Sequence, residues 1–534
     1  MIFFSCPEYA RGKGLRPLQV VCTLLCALWC INPAWADTAP VSQATQTCLA
    51  CHTSLHPGIV HSWEKSRHSQ KTPEQGQKED ELSKRVSSQD IPQELASVVV
   101  GCAECHCLRS QAHAGSFNHN GFEVHNVVSP DDCALCHQTE RSQYKQNLMS
   151  KARGNLKNNP VYMDLAENIH GQPKIAESKL DFAPAHRLTE EESCFYCHGS
   201  KITTKGLQTR TTAMGPMQFP ILQGWPNQGV GRINTDGSQG SCSACHTRHT
   251  FSVVTARKPS TCKECHIGPD VPAYKVYSTS KHGNIASSHS QTWDFESIPW
   301  TIGRDFTAPT CAVCHISLTV DPGGNIVAKR THRMNDRLSW RLFGLIYAHA
   351  HPKDADTSII RNADDLPLPT DFAGNPATDF LISSDTQKQR QTSMQGICAK
   401  CHSASWVKGH YQRLEHTIQA SNKAVGTGTS ILQRAWDLGH VQGLDQGESP
   451  FDQHLEKIWS KLWLINANKV RFASAMAGGG DYGVFAQGRY ALSNNLAAMQ
   501  DWVQERTIQK NAEDVTQNND IRKRGNPSGQ VMLG

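Results

Sequence analysis

Sixteen of the chain's cysteines fall into one repeated pattern, Cys-x-x-Cys-His, which occurs eight times. The copies are Cys48/Cys51/His52, Cys102/Cys105/His106, Cys133/Cys136/His137, Cys194/Cys197/His198, Cys242/Cys245/His246, Cys262/Cys265/His266, Cys311/Cys314/His315 and Cys398/Cys401/His402. Two thiols three positions apart can each form a thioether to a vinyl group of one haem, and the histidine that follows reaches the iron as proximal ligand. A single copy could also be half a zinc site or a redox dithiol. Eight copies, each ending in histidine, point to eight covalently bound haem c groups. Five cysteines lie outside the pattern: Cys6, Cys22, Cys26 and Cys30 fall in the N-terminal segment read below as an export signal, and Cys107 reads as a spare buried thiol rather than a catalytic one.

The histidine supply fits that reading. Of 26 histidines, eight belong to the motifs and eighteen remain. Candidates for a second iron ligand are His61, His68, His113, His119, His125, His170, His186, His249, His282, His332, His349, His351 and His410. Spacing alone cannot pair them with motifs, because distal ligands come from elsewhere in the chain. Between His198 and His246 there is no histidine. That stretch holds many Gly and Pro, with Met214, Met217, Trp225 and Asp236. It suits either an ordinary surface loop or the surround of an iron with one open face, and on spacing alone the loop is favoured.

The elements that must position these residues are read next. Arg11, Lys13 and Arg16 precede an apolar run from Leu18 to Ile31 and the small-x-small sequence Ala34-Trp35-Ala36. This is the pattern of an export signal cleaved after Ala36, with a periplasmic protein beginning at Asp37. No later stretch reaches the ~18 apolar residues of a membrane helix. A formal net charge of +5 over 534 residues argues against a nucleic-acid partner. With 38% hydrophobic residues the chain is polar for its size, so packed haems are expected to replace much of a conventional core.

The expected fold is mainly α. Residues 37–402 form an irregular, haem-packed cytochrome region with little sheet, and 70–95 an exposed polar insertion. Segments 403–440, 450–475 and 484–508 carry apolar residues at helical spacing, as in Leu455, Ile458, Trp459, Leu462 and Trp463. Region 403–508 is therefore read as long helices, two of them packed as a hairpin. The polar tail 509–534 is read as disordered.

The chain resembles the octahaem hydroxylamine oxidoreductase family. The resemblance rests on Cys48–Ser69 (CLACHTSLHPGIVHSWEKSRHS), His119–His137 (HNGFEVHNVVSPDDCALCH), and GVGRINTDGSQGSCSACHTRHTF followed by CKECHIGPDVPAYKVYSTSKHG. FTAPTCAVCHISL, the LFGLIYAHAHP run and the helical end through Tyr490 add to it, so it covers most of the chain after the signal.

The resemblance implies a catalytic fourth haem, on Cys194, Cys197 and His198, with an open distal face, and seven bis-histidine haems that carry electrons. It implies oxidation of hydroxylamine to nitrite or nitric oxide; the same architecture run as a nitrite or hydroxylamine reductase forming ammonium is the first alternative. A purely electron-transferring cytochrome is the second. His249 is the candidate base above the iron, with Asp236 and Tyr347 as its partners. His249 could equally be a distal ligand to another haem, Asp236 a turn residue and Tyr347 a buried structural tyrosine. Hydroxylamine oxidisers of the family cross-link a tyrosine of a neighbouring subunit to the catalytic haem; Tyr482, in GGGDYGVFAQGRY, stands in that region, and Tyr490 is the second choice. The family also implies a homotrimer and a c-type cytochrome or quinone-linked membrane redox partner.

Overall fold

The computed structural model describes residues 39–176, 179–477 and 482–524; the export signal expected over 1–36 lies outside them. The fold is mainly α, with strands confined to small sheets of two or three. The Cys-x-x-Cys-His copies explain much of the short helical structure. In each, the histidine lies four residues after the first cysteine, so one turn closes on a backbone bond. His137 N donates to Cys133 O (2.9 Å), His246 N to Cys242 O (3.0 Å), His266 N to Cys262 O (2.9 Å) and His402 N to Cys398 O (3.0 Å). That turn puts both sulfurs and the imidazole on one face. The first motif sits inside helix α1 (Gln43–Leu55). Those at Cys102–His106, Cys194–His198 and Cys311–His315 are five-residue helices.

Around the fourth motif the chain runs through α2 (Ala152–Lys157) and α3 (Pro160–His170). A hairpin of β1 (Gln172–Ala176) and β2 (Lys179–Ala183) follows. After the motif comes a long antiparallel ribbon, β3 (Thr203–Thr212) and β4 (Gly215–Gln223), which occupies half of the histidine-free stretch. Met214 lies exposed at its tip. A short pair, β5 (Trp340–Arg341) and β6 (His349–Ala350), places Arg341 opposite His349.

The segment expected to be an exposed insertion, 70–95, is instead tied down. Ser87 N donates to Cys136 O, Arg85 Nη2 to Glu296 O, and Arg330 Nη1 to the carbonyl of Lys84. Ser83 Oγ also donates to Ile298 O, and such ties to distant backbone are something composition alone cannot show.

The C-terminal region holds the largest apolar core. Helices α4 (Ser384–Cys398) and α5 (Ala404–Asp437) are followed by α6 (His454–Lys461), a π-helical turn over Leu462–Ala467, and α7 (Asn468–Ala477). Leu432, Leu455, Trp459, Leu462, Trp463 and Met499 interlock there. The last helix, α8, spans Tyr482–Arg524 and packs back against α5, the π turn and α7. The helices expected from periodicity are present, joined into a bundle. Where the sequence suggested disorder from 509, the helix continues to Arg524. A helix already docked at Leu492, Met499 and Val503 extends through Gln-, Lys- and Glu-containing sequence without a new nucleation step.

Candidate functional site

Two imidazoles sharing one iron through metal–nitrogen bonds of about 2 Å stand with ring centres about 6 Å apart. Five motif histidines face a non-motif histidine at that separation: His52–His119 (6.0 Å), His106–His249 (6.5 Å), His137–His68 (6.2 Å), His246–His332 (6.4 Å) and His402–His282 (6.0 Å); His106 also stands 6.1 Å from His125, whose own carbonyl meets His106 Nδ1, the nitrogen away from the iron. His68, His119 and His332 each leave a buried Nδ1 without a partner. Burial pushes His68, His246, His249 and His332 down to about 4, so each is neutral near pH 7 and keeps a lone pair for a metal. The proximal rings are oriented from behind. His106 Nδ1 bonds His125 O (2.8 Å), His137 Nδ1 bonds Arg85 O (3.1 Å) and His198 Nδ1 bonds Ala152 O (3.2 Å), which leaves Nε2 for iron. These residues fit haem c.

Among the described residues no histidine ring faces His198, His266 or His315 in this way. The fourth motif is thus one of three that could keep an open face. Its backbone is packed by the glycine-rich run after the ribbon: Val230 N donates to Cys197 O. A Cβ on Gly231 would lie 2.6–2.8 Å from Arg153 N, His198 O and Ala152 N, so only glycine fits. The histidine-free stretch therefore walls this motif in part.

The three residues proposed to act above that iron are not brought to it. His249 faces His106, the place of a distal ligand to the second haem; a ring held there has its lone pair committed. Asp236 is a buried anchor, accepting from Ser129 Oγ (2.6 Å), Ser238 Oγ (2.6 Å) and Ser238 N (3.0 Å), with Arg109 at 3.4 Å. Tyr347 lies in the C-terminal core and donates to Phe372 O (2.7 Å). Tyr482 begins α8; its side chain lies outside the described set. Tyr490 is 70% exposed. Cys107 sits in electrostatic reach of Cys48, and burial raises its thiol to about 11, which keeps it protonated and supports the spare-thiol reading.

Other side chains surround the fourth motif. Asp270, after the sixth motif, acts electrostatically on Cys194, Cys197, His198 and Tyr162. Arg341 acts on His198 and Tyr162. Tyr162 projects from the first turn of α3, and burial raises it above the ordinary phenol range, with Arg341 opposing and Asp270 adding to the shift. His170, at the end of α3, places Nε2 3.6 Å from Cys194 Sγ. No spacing marked Asp270, Tyr162 or Arg341, because they come from three distant segments.

A buried cluster of His113, His125 and Asp132 has ligand-type atoms close together. Its bonds are already committed: Arg109 and His113 hold Asp132, Thr235 meets His113 Nδ1, and His125 Nε2 meets Leu108 O. It serves as a polar tie between the second and third motifs.

Contacts between cysteines of different motifs order the eight copies in space. Cys133 and Cys242, Cys197 and Cys265, and Cys262 and Cys311 lie close enough for each thiol to shift the other's titration. Cys48 reaches Cys102, Cys105 reaches Cys136, Cys245 reaches Cys262 and Cys314 reaches Cys398. The order is first, second, third, fifth, sixth, seventh, eighth; the fourth joins at the sixth.

Of the sixteen expected attachment cysteines fifteen, Cys51 among them, are partly buried, and Cys401 is exposed. Among the described residues Cys51 and Cys401 each act electrostatically on the first cysteine of their own motif, Cys51 on Cys48 and Cys401 on Cys398, and on no cysteine of another. The physical reason is position. They belong to the first and eighth motifs, the two ends of the spatial order, where no further motif packs over the second sulfur. Their assignment to haem rests on the spacing and on the facing pairs of the adjacent histidines, His52–His119 and His402–His282.

Comparison with known proteins accords with this geometry. Residues 227–338 match the family described as "Seven times multi-haem cytochrome CxxCH", and 132–218 match "Cytochrome c554 and c-prime". A Kuenenia stuttgartiensis protein described as "Probable nitrite reductase-hydroxylamine oxidoreductase fusion protein" is 24% identical over 359 residues. The match spans 60% of this chain but only 40% of that protein. A solved structure of a reducing HAO-like protein complex from the same organism superposes with a TM-score of 0.59 at 17% identity, over 89% of this chain and 87% of that one. A second solved structure, a "Hypothetical multiheme protein", is 35% identical, covers 89% of this chain and 98% of its own, and gives a TM-score of 0.82. The chain belongs to the multihaem c-type cytochromes, and it shares its fold with the reducing HAO-like complex. As a multihaem cytochrome it carries covalently bound haem c and serves electron transport, and its facing imidazole pairs are the places where that haem fits.

Proposed function

We propose that this multihaem cytochrome is an exported, periplasmic oxidoreductase that carries eight haems and acts on hydroxylamine at the haem of Cys194, Cys197 and His198. The observation that carries the reading is the fourth motif itself: no imidazole faces His198 among the described residues, while Asp270 and Arg341 lie within electrostatic reach of it and Tyr162 within reach of both. Bound there, haem supplies an iron for a nitrogen lone pair and a route for electrons. The chain's own groups handle position and protons. Tyr162, held protonated by burial, can donate a hydrogen bond from its hydroxyl. The Asp270 carboxylate can accept a proton released as an N–H or O–H bond is oxidised. The Ala152 carbonyl fixes the His198 ring.

A second reading runs the same site in reverse, reducing nitrite towards ammonium. The cationic Arg341 beside the motif favours it, because nitrite is an anion. The relatives described as a nitrite reductase fusion and a reducing complex also lean this way. Electrons would pass to or from a c-type cytochrome or a quinone-linked membrane partner, and three copies would assemble through the C-terminal helices. The test is to titrate the purified, haem-loaded protein with hydroxylamine and with nitrite while following its absorption spectrum. A high-spin signal that disappears on binding supports the enzyme. A protein whose haems are all low-spin and bind neither is an electron conduit.

A further inference from the structure

The eighth motif ends at the surface. Cys401 is the one attachment cysteine that is exposed. Ser403, Ala404 and Ser405 follow it, exposed and small, so another surface can come close to this edge. Trp406, in the first turn of α5, is 39% exposed, the most exposed tryptophan among the described residues.

An indole at the surface leaves apolar area in water, and this one is held there by its neighbours. Its ring stacks on the imidazole of His402, the histidine of the motif, with ring centres 4.0 Å apart and 16° between the planes. His410 extends the stack from the other side, 5.4 Å from Trp406 at 3°. The three residues stand four positions apart, so a helical path puts them on one side. Among the described residues no other motif histidine stacks on a tryptophan. A continuous run of ring contact therefore joins the iron's ligand to the outside.

Charge on this side of α5 is positive. Arg413 comes seven residues, two helical turns, after Trp406. A Cβ on Gly409 would lie 3.3 Å from Arg413 Nη1, so the guanidinium reaches back over Gly409 into the turn next to Trp406. Arg413 is exposed and makes no ion pair among the described residues, whereas Lys400 is paired with Asp321 (3.4 Å). Glu415, the only acidic residue from Lys400 to His416, bonds Trp340 Nε1 (3.0 Å) and lines a groove on the far side of the helix.

We propose that Trp406 is an electron port: the haem held by Cys398, Cys401 and His402 exchanges single electrons through it with a soluble carrier protein of acidic surface, which Arg413 draws in. The proposal does not depend on the fourth motif being the substrate site. The exchange moves one electron and no atom. The iron goes from Fe(II) to Fe(III) as the carrier's centre is reduced by one electron, and the reverse flow restores both.

The reduced, haem-loaded full chain is mixed in stopped flow with oxidised plastocyanin, an acidic blue-copper protein, and separately with ferricyanide, which is small enough to reach any open haem edge. Intact mass and paramagnetic resonance check haem loading. Trp406→Ala is expected to slow plastocyanin reduction about tenfold and Trp406→Phe about threefold, with ferricyanide rates changed less than about twofold. Arg413→Gln is expected to raise the plastocyanin concentration needed and to flatten the salt dependence, leaving the saturated rate in place. In the unaltered protein, redox-inactive zinc-substituted plastocyanin is expected to protect Trp406 from hydroxyl-radical labelling read by mass spectrometry, a measurement that holds even if Trp406→Ala loses its eighth haem. Plastocyanin rates unchanged in both Trp406 variants, or equal labelling with and without the carrier, overturn the proposal. So does an equal slowing with both oxidants together with a shifted eighth-haem potential, which makes Trp406 a support for His402. Salt dependence unaltered by Arg413→Gln removes the acidic carrier. A chain that binds neither nitrite nor hydroxylamine still meets every expectation here, so the two readings fail separately.

Discussion

At the residue scale the paired imidazoles make the sharpest statements. Because His249 faces His106 at 6.5 Å, His249→Ala is expected to convert one low-spin haem to high spin while leaving the fourth-haem signal and the haem count unchanged; paramagnetic resonance reads this directly. Loss of the substrate-binding signal instead would return His249 to the fourth site. Gly231→Ala, which pushes a methyl into the His198 carbonyl and the Ala152 amide, is expected to disturb haem attachment at Cys194 and Cys197, giving a mass short by one haem. The motif residues were legible because their chemistry is local, five positions in a row. Their surroundings were not: fifteen of the sixteen attachment cysteines are partly buried and Cys401 is exposed, although all sit in the same pattern. Nor were their partners, since His52 meets His119 and His402 meets His282 across long stretches of chain, and only folding sets those pairs. Asp236 shows the limit of a plausible residue type. A carboxylate in a Gly-rich stretch could serve as an acid, and here it ties Ser129, Ser238 and Arg109 together.

At the element scale the C-terminal helices behave as periodicity implies, since a stripe of Leu, Ile and Trp must be buried against something. Trp459, 1% exposed and donating to Thr429 Oγ1, sits where α5 and α6 meet. Trp459→Ala is expected to cost about 3–5 kcal/mol and lower the melting temperature of these helices without changing the haem count. Glu456 at the start of α6 gives a pH dependence. It is fully buried and accepts from Trp436 Nε1 and Gln453 N, yet burial, with Asp452 beside it, raises it to about 8. Below the ordinary carboxyl range both folded and unfolded chains hold this proton. From there up to about pH 8 the unfolded chain releases it first, so stability falls by up to about 1.4 kcal/mol per pH unit and levels off above. Melting curves by circular dichroism at several pH values, with Glu456→Gln flattening the trend, check it. The end of α8 was misread from composition, because polarity says that a segment need not be buried and leaves open whether a docked helix carries on through it.

At the scale of the whole molecule, intact mass is expected to show eight haems on a chain starting at Asp37; fewer haems or a longer start removes the stoichiometry or the export reading. Beyond the last contacts of α8 with the bundle among the described residues, His440 to Thr507 and Lys510 to Leu438 O, the helix carries exposed Val515 and Ile521. A chain ending after Lys510 is expected to keep its haems and its melting curve but to run as a monomer in light scattering, if these residues hold three copies together. Fold class and the division into a cofactor-packed part and a helical part were legible from the chain, because motif density and apolar periodicity are both written in order along it. The spatial order of the motifs was not, since the fourth copy leaves the sequence order and joins only at the sixth. That single departure makes the fourth position a spur on a through line. Seven stations stay contiguous without it, so a protein that fails to load Cys194 and Cys197 should still relay electrons from one end to the other at an undiminished rate. Traffic along the line and turnover on the spur are then separable, and a lineage could lose the second while keeping the first intact.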